Sequence, residues 1–429
     1  MRVSGRISAA IEVLTEIADR HRPASEALKD WGKAHRFAGS SDRHAIGTLV
    51  YDALRKRNSL SHRMGSSTAR ALAIGVAGTI WHCPVKDLAA WAAEAHGFGA
   101  LSDAELGALA APALPAPAWI AGDYPEWLDP EFTAVFGDQA AAEGAALSER
   151  APIDVRVNAL KSSPAVVLAA LKKYGAVPGP LSPLAVRIAA PGHETRNANV
   201  EAEPGHGMGW YEVQDAASQA AALLAGARTG ETVADICAGA GGKTLALAAT
   251  MENGGRLIAH DSDRFRLRPI FERITRAGAA NIEVIAAEHG GQLDARAGGF
   301  DCVLIDAPCS GSGAWRRKPD AKWRLTDRQL QQRLKDQAQV LDKAARLVKP
   351  GGRMVYITCS VLNPENQGQI AAFLARTPGF AIIPYAEQWA RVIGTPAPQS
   401  ADRRTDTLLL TPRQHNADGF FVAVIRRGF

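Results

Sequence analysis

Thr232-Val-Ala-Asp-Ile-Cys-Ala-Gly-Ala-Gly-Gly-Lys-Thr244 reads as a short apolar strand running into a glycine-rich turn. Between the first strand and first helix of a parallel sheet, such a turn lets backbone approach a nucleotide-like ligand. The residues beyond it keep that rhythm. RLIAH (256–260), NIEVIA (281–286), CVLID (302–306) and RMVYIT (353–358) are strand-like, with helical stretches such as 263–277 and 327–348 between them. Strand alternating with helix predicts an open, doubly wound α/β sheet. GFFVAVI (419–425) is expected to add a final antiparallel strand.

Two familiar nucleotide motifs fail on the turn. A Walker A loop needs Gly where Cys237 stands, and the dinucleotide fingerprint needs a third Gly where Thr244 stands. What remains is a glycine loop followed, past the second strand, by Asp261, whose carboxylate can hold both ribose hydroxyls of an adenosine. Glu288, just past the third strand, could approach the adenine. That set suits S-adenosylmethionine, a nucleoside without a polyphosphate.

Beyond the fourth strand lies Asp306-Ala-Pro308-Cys309-Ser310-Gly-Ser-Gly313, and beyond the fifth Thr358-Cys359-Ser360, followed by Asn363-Pro-Glu365-Asn366. In an open α/β sheet both ends point into the same crevice as the glycine loop. Cys83, Cys237 and Cys302 read as small buried hydrophobes. Cys309 and Cys359 sit instead in polar turns beside Asp306. Such a pair suits chemistry at C5 of cytosine, a poor nucleophile. A thiolate adding to C6 makes C5 able to attack a sulfonium methyl, and a carboxyl on N3 favours the addition.

Upstream the pattern changes. Residues 1–110 read as all-helical, with Ile7, Ile11, Leu14 and Ile17, then Ile46, Leu49, Val50 and Ala53, at helical spacing. Ser41 is the expected N-cap of the latter helix, and Arg55, Lys56 and Arg57 at its far end are either a solvated terminus or an RNA-facing patch. The Pro/Ala-rich segment 111–118 reads as a linker, and 119–225 as a mixed region with a strand-like DVRVN (154–158) and a helix-like PAVVLAALKKYG (164–175). The catalytic domain is expected over 226–429.

The chain has 429 residues and a net charge of +5. Residues 1–70 carry thirteen Lys/Arg against seven Asp/Glu, which favours a polyanionic partner there. Five cysteines without a CxxC pair suggest neither a zinc site nor a disulfide framework. The apolar stretches are too short to span a bilayer. A cytoplasmic monomer with reduced thiols is the expectation.

These motifs resemble the Nol/Nop/Sun family of RNA cytosine-C5 methyltransferases. The matching stretches are DICAGAGGKT, Asp261, DAPCSGSGAWRRKPDAKW, YITCSVLNPEN and DGFFVAVI, with GWYEVQDAASQ (209–219) and RVNALK (156–161) upstream. SDRHAIGTLVYDALRKRNSL (41–60) resembles the NusB-type helical domain of the bacterial ribosomal small-subunit branch. The resemblance implies a class I, Rossmann-like methyltransferase sheet, preceded by a small α+β subdomain and an all-helical N-terminal domain. It implies Cys359 as the nucleophile, Cys309 as assisting release, and Asp306 as contacting the base and bordering the cofactor. Cys237, Ala238, Gly239, Ala240, Gly241, Gly242, Lys243, Asp261 and Glu288 would hold S-adenosylmethionine, and Arg316, Arg317 and Lys322 would lie near the RNA. Ribosomal RNA of the 16S type is the implied target, with transfer RNA as the alternative. Two positions depart from the family: Gln367 where Glu is common, and Glu288 where Asp is more usual.

Three other readings compete. CVLID imitates a Walker B strand, as in a P-loop ATPase, but Cys237 opposes it. The helical N-terminus would suit a non-catalytic RNA-binding or antitermination protein, which has no need of both cysteine turns. A DNA cytosine methyltransferase would use Cys309 as its nucleophile, and the second thiol at Cys359 favours RNA.

Overall fold

Apolar runs with little polar alternation belong to strands covered on both faces, and the runs beyond residue 229 occupy such places. The computed structural model describes residues 1–112 and 115–429. Its strands are β1 (Ile153–Val157), β2 (Val177–Pro178), β3 (Ala185–Ile188), β4 (Tyr211–Val213), β5 (Thr232–Asp235), β6 (Arg256–His260), β7 (Ile282–Ile285), β8 (Phe300–Asp306), β9 (Val348–Thr358), β10 (Phe380–Ile383), β11 (Leu408–Leu410) and β12 (Phe420–Arg427). The chain divides into two compact units.

The larger unit comprises Ala151–Ala190, Ala198–Ala314 and Thr326–Phe429. Its main sheet runs β10-β12-β9-β8-β5-β6-β7, with β11 paired to β12. Strands β5 to β9 are mutually parallel, and β12 lies antiparallel to β9, pairing Phe421 with Thr358. Both β12 and the alternation of β5 to β9 agree with the pattern in the sequence. Val233, Cys302, Leu304, Val355 and Ile357 are buried in one core with the helix Ala216–Leu223. One expected helix is two: 263–277 breaks into Arg264–Leu267 and Ile270–Ala277, because Pro269 offers no N–H to continue the ladder.

A second sheet in this unit, β2-β3-β1-β4, is antiparallel. It is tied down by polar groups rather than by apolar packing alone. Asn158 donates to the carbonyls of Gly209 and Ala277 at 2.9 and 2.8 Å. The buried Glu212 carboxylate accepts from Arg273 and Arg276, and Asp154 takes Arg187 through two bonds.

The smaller unit comprises Met1–Arg150, Pro191–Asn197 and Trp315–Leu325. Its first 110 residues are helical apart from turns. Ile7, Leu14, Ile17, Ile46, Leu49, Val50 and Ala53 are buried in one core, as their spacing requires. The helix Ser40–Arg55 starts a residue before Ser41. Its N-cap is Gly39, whose N–H donates to Asp42, so Ser41 is not the cap. Residues 113 and 114 of the 111–118 linker lie outside the described residues.

Arg55, Lys56 and Arg57 form neither a solvated end nor an open patch. Arg55 donates to Asp52 and to the carbonyl of Arg316, Lys56 pairs with Glu149, and Arg57 lies over the Trp323 ring. Burial lowers the pKa of the Arg55 and Arg57 guanidinium groups. The segment Trp315–Leu325 is built into this unit's core. Lys322, fully buried, donates to the carbonyls of Arg55 and Asp123 and to the Ser148 hydroxyl, and the Trp323 indole donates to the Leu54 carbonyl. With its three protons on protein oxygens, Lys322 has none for a phosphate, and Arg316 is buried as well. The expected RNA contacts of these two side chains are therefore corrected. No helix among the described residues is long and apolar enough to cross a membrane.

Candidate active site

Parallel register brings the chemistry to one sheet edge. Asp235 of β5 lies opposite Ala259 of β6 and Leu304 of β8, while Asp306 of β8 lies opposite Ile357 of β9. Each strand ends there in a polar turn, so Gly239, Asp261, Asp306, Cys309 and Cys359 all leave the sheet in the same direction.

The two cysteine turns are bonded to each other. The sulfurs of Cys309 and Cys359 are 3.4 Å apart. Gly313 donates its N–H to the Cys359 carbonyl at 2.9 Å and accepts from the Gly419 N–H at 2.8 Å. A Cβ on Gly313 would stand 2.1 Å from the Gly419 carbonyl oxygen, so only glycine permits this approach. Ser312 and Ser360 hydroxyls meet at 3.0 Å.

Glu365 anchors both turns, a role with no specific signal in its residue type or spacing. Its carboxylate, fully buried, accepts from the Ser310 N–H at 2.7 Å, the Ser310 and Ser360 hydroxyls at 2.5 Å each, and the Gln337 amide at 3.0 Å. Four donors on two oxygens compensate a carboxylate withdrawn from water. Asn366 adds a second tie, donating to the Ser360 carbonyl at 2.9 Å and accepting from Thr358 at 2.6 Å. Gln367, the departure from the family pattern, donates its amide to the Thr407 hydroxyl, so it fastens the start of the following helix to the residue before β11.

The Cys309 thiol has its pKa raised, first by the hydrogen bond with Cys359 and then by burial. Cys309 therefore keeps its proton and can present it to the neighbouring sulfur. Cys237 is a different case. Burial and the carboxylates of Asp235, Asp261 and Asp306 raise its pKa, and it stays an inert thiol.

Lys243 lies on the helix that starts at the glycine turn, yet its ammonium points to Asp306, at 2.7 Å, and lies over the Phe420 ring. The pairing leaves Lys243 almost enclosed while Asp306 is one-third exposed, 34%. Asp306 thus meets whatever enters the crevice with its charge already held in direction.

The glycine turn is built for close approach. Gly241 has φ +84°, and a Cβ there would meet Ile270 at 2.5 Å. Asp261 accepts the Gly239 N–H on one oxygen and the Asp263 N–H on the other, both at 2.9 Å. Each oxygen keeps a lone pair for a further donor. Asp235, buried at the end of β5, has its pKa raised by burial to about 7. One of its oxygens accepts from Thr244 at 2.7 Å, and the other is buried without a hydrogen-bond partner. Glu288 lies exposed on the turn that follows β7, the strand paired with β6. Among the described residues no cluster of His, Cys, Asp or Glu is arranged to hold a metal.

Comparison with known proteins agrees with this geometry. A family model described as 16S rRNA methyltransferase RsmB/F matches residues 222–426, and one described as the ferredoxin-like domain of RsmF/B-like methyltransferases matches 124–194. The ribosomal RNA small subunit methyltransferase B of Sodalis glossinidius is 36% identical over 304 residues, covering 70% of this chain and 65% of that protein. The protein of that name from Salmonella typhi is 36% identical over 264 residues, covering 60% and 59%. The match therefore spans less than two thirds of these relatives' own length. The crystal structure of PH0851 superposes with a TM-score of 0.74 at 24% identity, over 100% of this chain and 99% of that one. A methyltransferase homolog from Pyrococcus horikoshii gives 0.59 at 26% identity, over 72% and 97%. The two family models match residues 124–194 and 222–426, and the second range holds both cysteine turns at one sheet edge, so over these residues the chain is similar to the RsmB/F methyltransferases.

Proposed function

We propose that this chain methylates C5 of a cytosine in RNA, with 16S ribosomal RNA as the substrate class and S-adenosylmethionine as methyl donor. The observation that carries the proposal is the thiol pair at 3.4 Å, at the same sheet edge as Asp306. The relatives' names favour ribosomal over transfer RNA.

The residues present fit the methyl donor. A turn that needs glycine at Gly241, free lone pairs on Asp261 and a partnerless buried oxygen on Asp235 suit a nucleoside with hydroxyl and amino donors. Residues 237–243, Asp261 and Glu288 would hold it, with Asp306 at the border. When bound, it supplies an electrophilic methyl on a sulfonium.

The chain's own groups account for the remainder. Cys359 attacks C6 as a thiolate, stabilised by the Cys309 S–H, and a Cys359–C6 bond replaces the C5=C6 double bond. A proton placed on N3 neutralises the charge that the thiolate brings into the ring, and the Asp306 carboxylate, oriented by Lys243, accepts the hydrogen bond from that N3–H. C5 is then nucleophilic and takes the methyl. The C5 proton passes to the Cys309 sulfur, whose own proton is free to leave once Cys359 is bonded to C6; the C5–H electrons re-form the C5=C6 bond and Cys359 departs as a thiolate. Glu365 keeps the two sulfurs in register throughout.

The test pairs two measurements. Bisulfite sequencing of total RNA from a deletion strain and its parent should show one cytosine losing protection in 16S ribosomal RNA. Purified protein should transfer labelled methyl to that RNA. Loss of protection in transfer RNA alone would refute the substrate class, and no loss anywhere would refute the activity.

A further inference from the structure

The helical unit contains a cavity of about 780 Å³ that methyl transfer does not use. Its wall carries an aromatic run. Trp31 and His35 stack with ring centroids 4.3 Å apart and planes at 14°, and Phe37 meets His35 edge-on at 5.7 Å. His35 Nδ1 lies 2.9 Å from the Trp31 carbonyl oxygen, to which it donates. Phe37 lies in the short connection before the helix Ser40–Arg55 and is 73% exposed.

Two carboxylates line the same cavity. Glu12 accepts from the Trp31 indole at 2.9 Å, and Glu94 accepts from the Ser4 hydroxyl at 2.6 Å. Arg2 lines the cavity as well, 83% exposed and 3.7 Å from Glu94. Lys33 and Arg36, both exposed, flank the aromatic run along the chain; Lys33 pairs with Asp30 at 3.3 Å, and Arg36 has no ion pair among the described residues. The cavity thus combines π surface, hydrogen-bond acceptors and a basic rim.

We propose that this cavity takes one unstacked base of an RNA strand. The inference rests on the RNA reading above and adds a second point of attachment, separate from the base that is methylated. Aromatic rings accept a base of any sequence by its face. Carboxylate acceptors select bases that carry an exocyclic amine, which are cytosine, adenine and guanine. Arg2, Lys33 and Arg36 meet the phosphates on either side. A cationic side chain of a protein partner would satisfy the rings and the acids, and the basic rim disfavours it.

The test uses the full chain and two short probes, an oligocytidylate and an abasic ribose-phosphate oligomer of equal length. Phe37→Ala, at an exposed site, should weaken oligocytidylate binding by about ten-fold, within the range for one stacked base. It should leave S-adenosylmethionine affinity and abasic-oligomer affinity as they are. Arg36→Ala should weaken both oligomers. Equal oligocytidylate affinity for wild type and Phe37→Ala overturns the proposal. So does an arginine-rich peptide whose binding depends on Phe37 while oligocytidylate binding does not. If wild type binds oligocytidylate and methylates RNA but Phe37→Ala changes nothing, only this cavity is misassigned. If wild type binds no RNA, the activity reading falls with it.

Discussion

Cys309 and Cys359 lie fifty positions apart in the chain, and their sulfurs lie 3.4 Å apart. At that distance one sulfur can act on the proton of the other, and the order of their work can be separated. Cys359→Ala should abolish methylation and any covalent protein–RNA species. Cys309→Ala should permit attack and transfer but stall at release, so a denaturation-resistant adduct should accumulate on a gel with substrate RNA and S-adenosylmethionine. An adduct with Cys359→Ala and none with Cys309→Ala would exchange the roles.

Glu365 is expected to set the spacing of the sulfurs. Glu365→Gln keeps the shape but replaces an acceptor of four hydrogen bonds with an amide that must point two protons at donors. Stability should fall by about 1.5–3 kcal/mol, the range for a hydrogen bond to a charged group. Diamide-driven joining of Cys309 to Cys359 should slow at the same time. A variant that loses stability but joins its thiols at the wild-type rate would make Glu365 a structural residue only.

Asp261→Ala should weaken S-adenosylmethionine binding by about 1.5–3 kcal/mol. Part of that loss comes from the Gly239 N–H, which Asp261 now holds. Asp261→Asn should recover less than half of it, because an amide supplies one acceptor oxygen where the ribose and the backbone use two. Calorimetry that shows wild-type affinity for both variants would displace the cofactor from this edge.

Asp235 supplies a pH dependence. Its carboxyl titrates near pH 7 in the folded chain and near 3.8 when unfolded, because burial disfavours the charge. Between those values the folded form holds a proton that the unfolded form has lost, so stability falls as pH rises from about 4 to 7. Asp235→Asn should flatten that slope in thermal melts and raise the melting temperature at pH 8 relative to wild type. A slope unchanged by the substitution would mean that Asp235 ionises normally.

Deleting residues 1–110 should not leave a well-behaved catalytic fragment. The deletion removes the Leu54 carbonyl that receives Trp323, one of the three acceptors of Lys322, and the helices that bury this segment, so apolar surface is exposed and a buried ammonium loses part of its compensation. The fragment should be insoluble or melt well below the full chain, and Lys322→Met in the full chain should also lower the melting temperature, because it leaves the Arg55 and Asp123 carbonyls and the Ser148 hydroxyl buried without that donor. A soluble fragment with the wild-type melting temperature would show that Trp315–Leu325 repacks by itself.

The sheet and its active edge were legible because the motifs are local. Apolar strands ending in DICAGAGGKT, DAPC and TCS announce themselves, and the parallel topology then decides where they meet. Short strands such as Val177–Pro178 and Tyr211–Val213 carry too few residues for a period-two pattern. Glu365 and the Lys243–Asp306 pair were hidden for another reason. Their meaning depends on contacts between segments distant in sequence, which residue types at a spacing do not encode. Lys322 misled in the same way: a basic residue after a catalytic turn looks like a phosphate ligand until its three acceptors are seen.

The Trp315–Leu325 segment also fixes an order of events during synthesis. The helical unit emerges first, but part of its interior is encoded after half the strands of the main sheet. At about 5–20 residues per second, the stretch from Ala151 to Ala314 takes on the order of ten seconds or more to translate. Over that interval the Arg55, Asp123 and Ser148 oxygens await an ammonium not yet made. The N-terminal helices therefore reach their final packing only when the nascent chain has delivered residue 325, and the last turn of the first unit closes late in the birth of the second.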